Sequence, residues 1–279
     1  MSTSPLLTLI LPAYNAASYI GRSLHDVVNA LEALGRPFEI LVVSDGSTDG
    51  TPDKVREFFD PRVRLIHYRV NRGKGYAICF GVAHARGRLV GWLDADLDIS
   101  PNVIVEAVRR FDEREIDAVI GSKRHPDSRV DYPLVRRILS WGFQLLVRLL
   151  FRIRVRDTQV GAKIFRGEML ATVVPLLLIK QYAFDLEVLA VGAEFGFDRI
   201  EEAPIQLDYR FTGTGITRQA VRRMFLDTLA IAYRIHVRHW YVRQYAALER
   251  RRTDARAAAD RTPVAPTAGT WSEILAVRE

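Results

Sequence analysis

Residues 89–100 read LVGWLDADLDIS, a short apolar run that ends abruptly in Asp94, Asp96 and Asp98. The apolar run predicts a buried β-strand, and the three carboxylates follow its C-terminal end. In an open α/β sheet, ligands bind at that edge. Three neighbouring carboxylates repel one another, and a hard divalent ion shared with phosphate oxygens would remove the repulsion. The same pattern also fits a simple turn before the next helix, so the rest of the chain has to decide.

Length, charge and cysteine content limit what kind of protein this is. The chain has 279 residues, 48% of them hydrophobic, enough for one large or two small domains with a substantial core. Its single cysteine rules out an internal disulfide and a cysteine-rich metal site. The net charge of +7, with an isoelectric point near 9.7, suits a nucleotide-sugar, a nucleic acid or an anionic membrane as partner. The charge alone does not distinguish among these three.

No segment has the features of a signal peptide or of a membrane-spanning helix. The first basic residue is Arg22, so the basic N-terminal region of a signal peptide is missing. The longest strongly apolar, uncharged runs cover residues 138–147 and 169–179, well short of the roughly 20 residues that span a bilayer. We therefore expect a soluble or peripheral membrane protein on the cytoplasmic side.

Strand patterns and helix patterns alternate through the first half of the chain. The predicted strands cover residues 6–11, 38–43, 63–67, 89–93 and 118–121. The predicted helices between them cover residues 18–34, 51–59, 74–85 and 101–111. This order predicts an α/β fold with a mostly parallel central sheet and helices on both faces.

The second half of the chain is organised differently. We expect a long apolar helix over 133–153, a loop and short strand over 157–166, a helix over 182–195, a strand pair over 200–209, and a basic amphipathic helix or helix pair over 218–252. The remaining residues, 253–279, show little apolar periodicity and predict a disordered tail. We assign residues 1–217 to one domain.

Polar motifs follow each of the first four predicted strands. PAYN occupies 12–15, SDGSTDGT occupies 44–51, and NRGKG occupies 71–75. Asp45 can accept hydrogen bonds from a nucleobase or ribose, and the glycines beside Lys74 allow a phosphate to approach a helix N-terminus. Taken alone, each motif is a weak signal. SDGSTDGT by itself would favour a turn and a helix cap, and NRGKG also fits a solvated basic turn.

Taken together, PAYN, VVSDGSTDGT, NRGKGYAI and WLDADLD resemble the nucleotide-binding half of glycosyltransferase family 2, over residues 6–125. The resemblance implies the glycosyltransferase A-type fold. Residues 136–168 and the YAFDLE motif at 182–187 resemble the dolichyl-phosphate glucosyltransferase branch. The related dolichyl-phosphate mannose synthases share the first half but usually lack the Asp-Thr-Gln-x-Gly-x-Lys pattern found here at 157–163.

Two positions depart from the family pattern. Ala16 stands where the family commonly has a glutamate after the asparagine of the first motif. Lys123 stands where the family has an arginine, and a lysine cannot form the forked contact that arginine makes with phosphate.

The resemblance implies roles for individual residues. Nucleotide-sugar binding falls to Pro12, Tyr14, Asn15, Asp45, Gly73, Lys74, Asp94, Ala95 and Asp96. A Mg²⁺ or Mn²⁺ cofactor would be held by Asp94, Asp96 and Asp98, and the acceptor phosphate by Lys123, Arg136 and Ser140.

Asp94 and Asp96 are the implied catalytic residues, together with Asp185, which matches the catalytic base of relatives that use a hydroxyl acceptor. A buried cap or ion pair is an equal alternative for Asp185. Asp157, Gln159 and Lys163 could close over the sugar or the phosphates, or Asp157 and Lys163 could form a structural pair.

The implied activity is inverting, metal-dependent transfer of a hexose, glucose from UDP-glucose, to polyprenyl or dolichyl phosphate. One alternative is mannosyl transfer from GDP-mannose to the same acceptor, and another is transfer to a glycan hydroxyl with Asp185 as an essential base. A nucleic-acid-binding protein is the alternative from another class, prompted by the charge. The aromatic residues of this chain form no recognisable platform on which bases could stack, so we expect no nucleic acid partner.

Two helices carry more apolar surface than one core contact requires. The predicted helix 133–153 has one narrow polar stripe, and 218–252 combines many arginines with Phe225, Leu229, Tyr233, Trp240 and Tyr241. Basic residues with interfacial aromatics suit an anionic bilayer surface. We therefore expect amphipathic interface helices that bind the cytoplasmic face of a membrane. A homodimer interface is the alternative.

Overall fold

The computed structural model describes residues 4–128, 134–151, 153, 155–179, 183–207 and 218–259. The elements are, in chain order, β1 (Leu7–Ala13), α1 (Ile20–Glu32), β2 (Phe38–Asp45), α2 (Thr51–Arg56), β3 (Val63–Tyr68), α3 (Lys74–His84), β4 (Leu89–Leu93), α4 (Asn102–Glu113), β5 (Ala118–Ser122), α5 (Leu134–Phe151), β6 (Ala162–Arg166), α6 (Gly167–Val173), a short 3₁₀ helix (Val174–Leu176), α7 (Phe184–Glu194), β7 (Ile200–Pro204), α8 (Arg218–His236) and α9 (Trp240–Ala259).

The described strands form one seven-stranded sheet in the order β3-β2-β1-β4-β6-β5-β7. The β1, β2, β3 and β4 strands are mutually parallel, as are β5 and β7. Only β6 among these strands runs antiparallel, between β4 and β5. The mostly parallel sheet expected from the sequence is therefore confirmed, with one reversed strand that the sequence pattern did not predict.

Helices cover both faces of the sheet, because alternate strand residues feed two separate apolar layers. One layer joins Ile10 and Trp92 to residues of α3, α5, α6, α7 and α8. The other joins Leu9 and Leu93 to residues of α1 and α4. Strands buried on both faces are typical of parallel sheets and read as continuous apolar runs. The core thereby fixes the strand ends, where the polar loops begin.

The C-terminal helices are fastened to the core by a buried carboxylate on α7. Glu187 accepts hydrogen bonds from the backbone nitrogens of Leu178 and Ile179 and, at 2.6 Å, from the hydroxyl of Tyr241. Arg234 of α8 lies 3.9 Å from the same carboxylate. Burial raises the pKa of Glu187, and these hydrogen bonds partly offset the increase.

Several expectations for the second half need correction. Of the expected basic helix or helix pair, the structure has the pair, α8 and α9. Because α9 continues to Ala259, the expected start of a disordered tail at residue 253 is wrong. Alanine-rich sequence after 253 has high helix propensity, which explains the extension. The expected strand pair over 200–209 is one strand, β7, followed by an isolated bridge at Leu207. No helix among the described residues is long and apolar enough to cross a membrane.

Candidate functional site

Four loops meet at the carboxyl edge of the sheet, because β1, β2, β3 and β4 are parallel and adjacent or nearly so. The PAYN motif spans the end of β1 and the start of the loop after it, with Pro12 half-buried and Tyr14 51% exposed. The tyrosine ring is thus open to a ligand at this edge. In an open α/β sheet this is the expected binding position.

The loops after β1 and β2 are tied together by hydrogen bonds. Asn15 Oδ1 accepts a hydrogen bond from the backbone nitrogen of Thr48 at 2.9 Å, and the backbone nitrogen of Asn15 donates to Ser47 Oγ at 3.1 Å. Asp49 Oδ2 accepts from the nitrogen of Ala17 at 2.9 Å. Asn15 has a φ of 50°, which asparagine tolerates better than most residues. Its side chain therefore braces the second loop, a role that the sequence did not predict.

Asp45 ties the loop after β2 to the loop after β3. Its carboxylate accepts from the backbone nitrogens of Arg72 at 2.7 Å and Gly73 at 2.9 Å. Gly46 lies so close to this loop that a Cβ atom there would overlap the Asn71 nitrogen. Both carboxylate oxygens of Asp45 are thus engaged with backbone, so the residue shapes the edge on which a nucleotide would rest.

Lys74, the first residue of α3, forms an ion pair with Asp94 at the end of β4. Desolvation disfavours the charge on Lys74, whose side chain is 40% exposed, but the carboxylates of Asp94, Asp185 and Asp96 outweigh it and raise the pKa of the lysine. The lysine is therefore a fixed positive charge beside the acidic motif, at the position that the NRGKG motif predicted for a phosphate ligand.

The acidic motif holds more negative charge than its surroundings neutralise. Burial, followed by repulsion from Asp94, raises the pKa of Asp96. Asp98 Oδ1 is buried and has no hydrogen-bond partner among the described residues. No three His, Cys, Asp or Glu side chains within the described ranges are grouped to hold a metal ion, so Asp94, Asp96 and Asp98 form no three-carboxylate cage. The donor oxygens nevertheless suit a cation that takes its other ligands from a phosphate.

Lys163 and Asp185 form a buried ion pair. Lys163 Nζ lies 2.7 Å from Asp185 Oδ1, and the lysine side chain is fully buried. Burial lowers the pKa of Lys163, against the attraction of Asp185. Lys163 therefore cannot close over a sugar as one sequence interpretation held, and its partner is Asp185 rather than Asp157. For Asp185, the ion-pair alternative agrees with this geometry.

Asp157 organises the loop that precedes β6. It accepts hydrogen bonds from the backbone nitrogens of Lys123 at 3.3 Å and Gln159 at 3.1 Å. Gln159 Nε2 is buried and has no hydrogen-bond partner among the described residues. The predicted acceptor residue Lys123 is thus held next to this loop. Arg136 and Ser140 lie on α5, and their side chains lie outside the described residues.

Two residues near the acidic motif were missed by sequence reasoning. Gly161 packs directly against the carboxylate of Asp94, where a Cβ atom would overlap it. Burial and the nearby charges of Asp96, Asp49 and Asp94 raise the pKa of Tyr19. The Asp-Thr-Gln-x-Gly-x-Lys pattern contained a signal for Gly161, but only the strand register shows which residue the glycine meets.

Known proteins are similar to this chain in sequence and in fold. A family model described as glycosyl transferase family 2 matches residues 8–173. The chain is 29% identical over 214 residues to "Dolichyl-phosphate beta-glucosyltransferase" of Dictyostelium discoideum, covering 71% of this chain and 65% of that protein. It is 31% identical over 223 residues to the protein of the same name from Saccharomyces cerevisiae, covering 71% and 66%. The chain thus spans about two thirds of each relative.

A solved structure gives the same fold. Glucosyl-3-phosphoglycerate synthase from Mycobacterium tuberculosis, in complex with Mn²⁺, UDP-glucose and phosphoglyceric acid, superposes with a TM-score of 0.63 at 18% identity, covering 82% of this chain and 80% of that chain. The expected glycosyltransferase A-type fold is therefore confirmed. The family model matches residues 8–173, which are more than half of this chain, and the chain therefore belongs to glycosyltransferase family 2.

Proposed function

We propose that this chain transfers a hexose, glucose from UDP-glucose, to a polyprenyl phosphate with inversion at the anomeric carbon. The observation that carries the proposal is the Lys74–Asp94 ion pair beside Asp96, at the sheet edge where four loops meet. The relatives named dolichyl-phosphate beta-glucosyltransferase support the sugar and the acceptor class. A β-linked product from an α-linked nucleotide sugar requires inversion.

The donor side of the site explains how the diphosphate would leave. When bound, Mg²⁺ or Mn²⁺ supplies a Lewis acid that neutralises the leaving nucleoside diphosphate. Asp94 and Asp96 would hold that ion: Lys74 neutralises one of these two carboxylates, and the ion would neutralise the other. Lys74 places a second positive charge at the N-terminus of α3, where a phosphate is also favoured by the backbone nitrogens.

The acceptor side needs positioning more than a base. A phosphate oxygen is already anionic at neutral pH, so it can attack the anomeric carbon while the bond to the leaving diphosphate breaks. The electron pair of that bond leaves with the diphosphate, and no proton has to be removed. Lys123 would hold the acceptor phosphate, with Arg136 and Ser140 of α5 in the same role.

The acceptor lipid requires a membrane surface, and α8 provides a suitable face. Apolar side chains recur every four residues along it and are exposed: Val221, Phe225, Leu229 and Tyr233. Arg222 and Arg223 are exposed on the same helix, and Leu145 and Leu149 are exposed on α5, which contacts α8. Exposed apolar and basic residues on one helix favour an anionic bilayer surface. We propose that residues 1–217 form the catalytic domain and that α8 docks it to the cytoplasmic face.

One part of the expected membrane surface is wrong. Tyr241 is only 1% exposed, because its ring packs in the core and its hydroxyl binds Glu187. Trp240 is half-buried and packs edge-on against Tyr241. These two aromatics therefore belong to the attachment of α9, and the proposed membrane contact lies on α8 and α5.

Turnover of a donor panel tests the proposal. The protein is incubated with polyprenyl phosphate and UDP-glucose, UDP-galactose or GDP-mannose, in Mg²⁺, Mn²⁺ or EDTA, and labelled sugar is counted in the lipid extract. We expect transfer from UDP-glucose that EDTA abolishes. Preferred transfer from GDP-mannose would favour the mannosyl alternative. No lipid product from any donor would overturn the proposal.

Asp185→Asn separates a phosphate acceptor from a hydroxyl acceptor. Asparagine keeps an oxygen that can accept from Lys163, so we expect kcat to fall by no more than about tenfold. Loss of an essential general base would lower kcat by roughly 10²–10⁴. A loss in that range, with thermal stability and donor Kd unchanged, would favour the alternative in which Asp185 activates a glycan hydroxyl.

A further inference from the structure

Gly161 and Asp94 meet across the antiparallel pair of β4 and β6. Leu93 is opposite Ala162 in this pair, so Asp94 and Gly161 are neighbours just beyond its end. A Cβ atom on residue 161 would overlap Asp94 Oδ2 and lie 2.5 Å from Asp94 Cγ. The absence of a side chain at residue 161 is therefore what lets Asp94 hold its position beside Lys74.

Lys163 fixes the peptide unit that precedes this glycine. Its Nζ donates to the carbonyl oxygen of Val160 and, at 2.7 Å, to Asp185 Oδ1. The Val160 carbonyl and the Gly161 nitrogen belong to one planar peptide unit. Fixing the carbonyl from inside the core therefore fixes the backbone that touches Asp94.

Stability alone does not account for this buried pair. Replacing a buried ion pair by apolar residues of similar volume is often neutral or stabilising, because two charges no longer have to be desolvated. The contact with Val160 gives the pair a different role, since an apolar side chain could not bind a carbonyl oxygen.

We propose that Lys163 is a positioning residue for Asp94, acting through Val160 and Gly161, and that Asp185 serves by neutralising Lys163. This inference rests on the proposed function, because it takes Asp94 to be a ligand of the ion that binds the donor diphosphate. Neither Lys163 nor Asp185 touches the donor in this account.

Binding of UDP, measured by calorimetry in Mn²⁺ and in EDTA, tests the inference without turnover. In the unaltered protein we expect Mn²⁺ to tighten UDP binding. Gly161→Ala should reduce that Mn²⁺-dependent gain by roughly tenfold or more. Binding in EDTA should not change, because the loops braced by Asn15 and Asp45 are untouched. Gly192→Ala is the matched control, since its Cβ atom would press on Met169 of α6 instead.

The double variant Lys163→Met/Asp185→Leu separates positioning from stability. It removes both buried charges at similar volume, so we expect a thermal midpoint close to that of the unaltered protein and a lost Mn²⁺-dependent gain. A retained gain in this variant or in Gly161→Ala would overturn the inference. If the unaltered protein itself shows no Mn²⁺-dependent gain, the proposed function fails, and the inference fails with it.

Discussion

Among single residues, Lys123 is one that we propose to bind the acceptor phosphate. It follows β5, is half-buried, and makes no salt bridge within the described ranges, so its charge is available to a phosphate. We expect Lys123→Ala to raise the acceptor KM or lower kcat by tenfold or more, because a charge-assisted hydrogen bond contributes about 1.5–3 kcal/mol. Arg136→Ala should behave in the same way. Steady-state kinetics with varied acceptor measures both.

Lys123→Arg is the matched control for this prediction. Arginine restores the charge and adds a forked contact, so acceptor KM should return to the unaltered value or improve. Donor affinity should stay nearly constant in all three variants. A collapse of donor binding instead would place Lys123 and Arg136 in the nucleotide site.

Residue types could be read from the sequence, but their partners could not. The positions of Lys74, Asp94 and Asp96 at one sheet edge follow from strand order alone, and the structure brings them together. The contact of the Asn15 side chain with the loop after β2, for example, was not expected. A structural pair of Lys163 with Asp157 was one of two alternatives, whereas the partner of Lys163 is Asp185, on another element. Long-range pairing depends on the tertiary fold, which local patterns do not encode.

Among the elements, helix α7 contributes both to the acidic site and to the attachment of the C-terminal helices. Its first turn presents Asp185 to the acidic site and Glu187 to α8 and α9. Tyr241→Phe removes a hydrogen bond to a buried carboxylate, so we expect it to lower the free energy of unfolding by about 1–3 kcal/mol. Urea denaturation measures this loss, and Tyr245→Phe, a half-buried tyrosine on the same helix, is the control.

The Tyr241→Phe effect should depend on pH in a defined direction. Burial raises the pKa of folded Glu187 above its ordinary value of 4.5. The folded protein therefore binds the proton more tightly, and stability from this group is lost as pH rises from 4.5 through the folded pKa. Removing a donor raises that pKa further, so the loss should be larger near about pH 7 than near about pH 5. An equal loss at both pH values would contradict this assignment.

Helix α8 is the element that the proposed membrane contact depends on. Phe225→Glu places a negative charge within the exposed apolar face, so we expect vesicle binding to fall without a change in thermal midpoint. Co-sedimentation with anionic vesicles measures it, and binding should weaken with salt. Phe59→Glu is the control, because Phe59 is 97% exposed but lies on another part of the chain.

Comparison of Phe225→Glu with the unaltered protein shows whether a membrane or a second copy of the chain covers α8. Equal vesicle binding by Phe225→Glu and the unaltered protein would remove α8 from the membrane contact and leave α5. Absence of vesicle binding by the unaltered protein would contradict the membrane proposal. A concentration-dependent dimer by light scattering, lost in Phe225→Glu, would then favour the homodimer alternative.

The architecture of the whole molecule was largely predictable, because its first half repeats one pattern. Each strand from β1 to β4 is mostly apolar, is followed by polar turn residues and leads into a helix. The reversed strand β6 was not predictable, since strand direction depends on the path of the chain through α5. The antiparallel direction of β6 places Gly161 against Asp94. The detailed geometry of the site therefore depends on a strand direction that the sequence pattern did not predict.

Metal-dependent departure of the diphosphate is the central claim for the whole molecule, and Asp96 tests it most directly. The measurement is transfer of labelled glucose from UDP-glucose to polyprenyl phosphate, by the unaltered protein and Asp96→Ala, each in Mn²⁺ and in EDTA. We predict transfer by the unaltered protein in Mn²⁺ and none in the other three conditions, because the leaving diphosphate then lacks its counter-ion. Near-normal transfer by Asp96→Ala in EDTA would contradict the account.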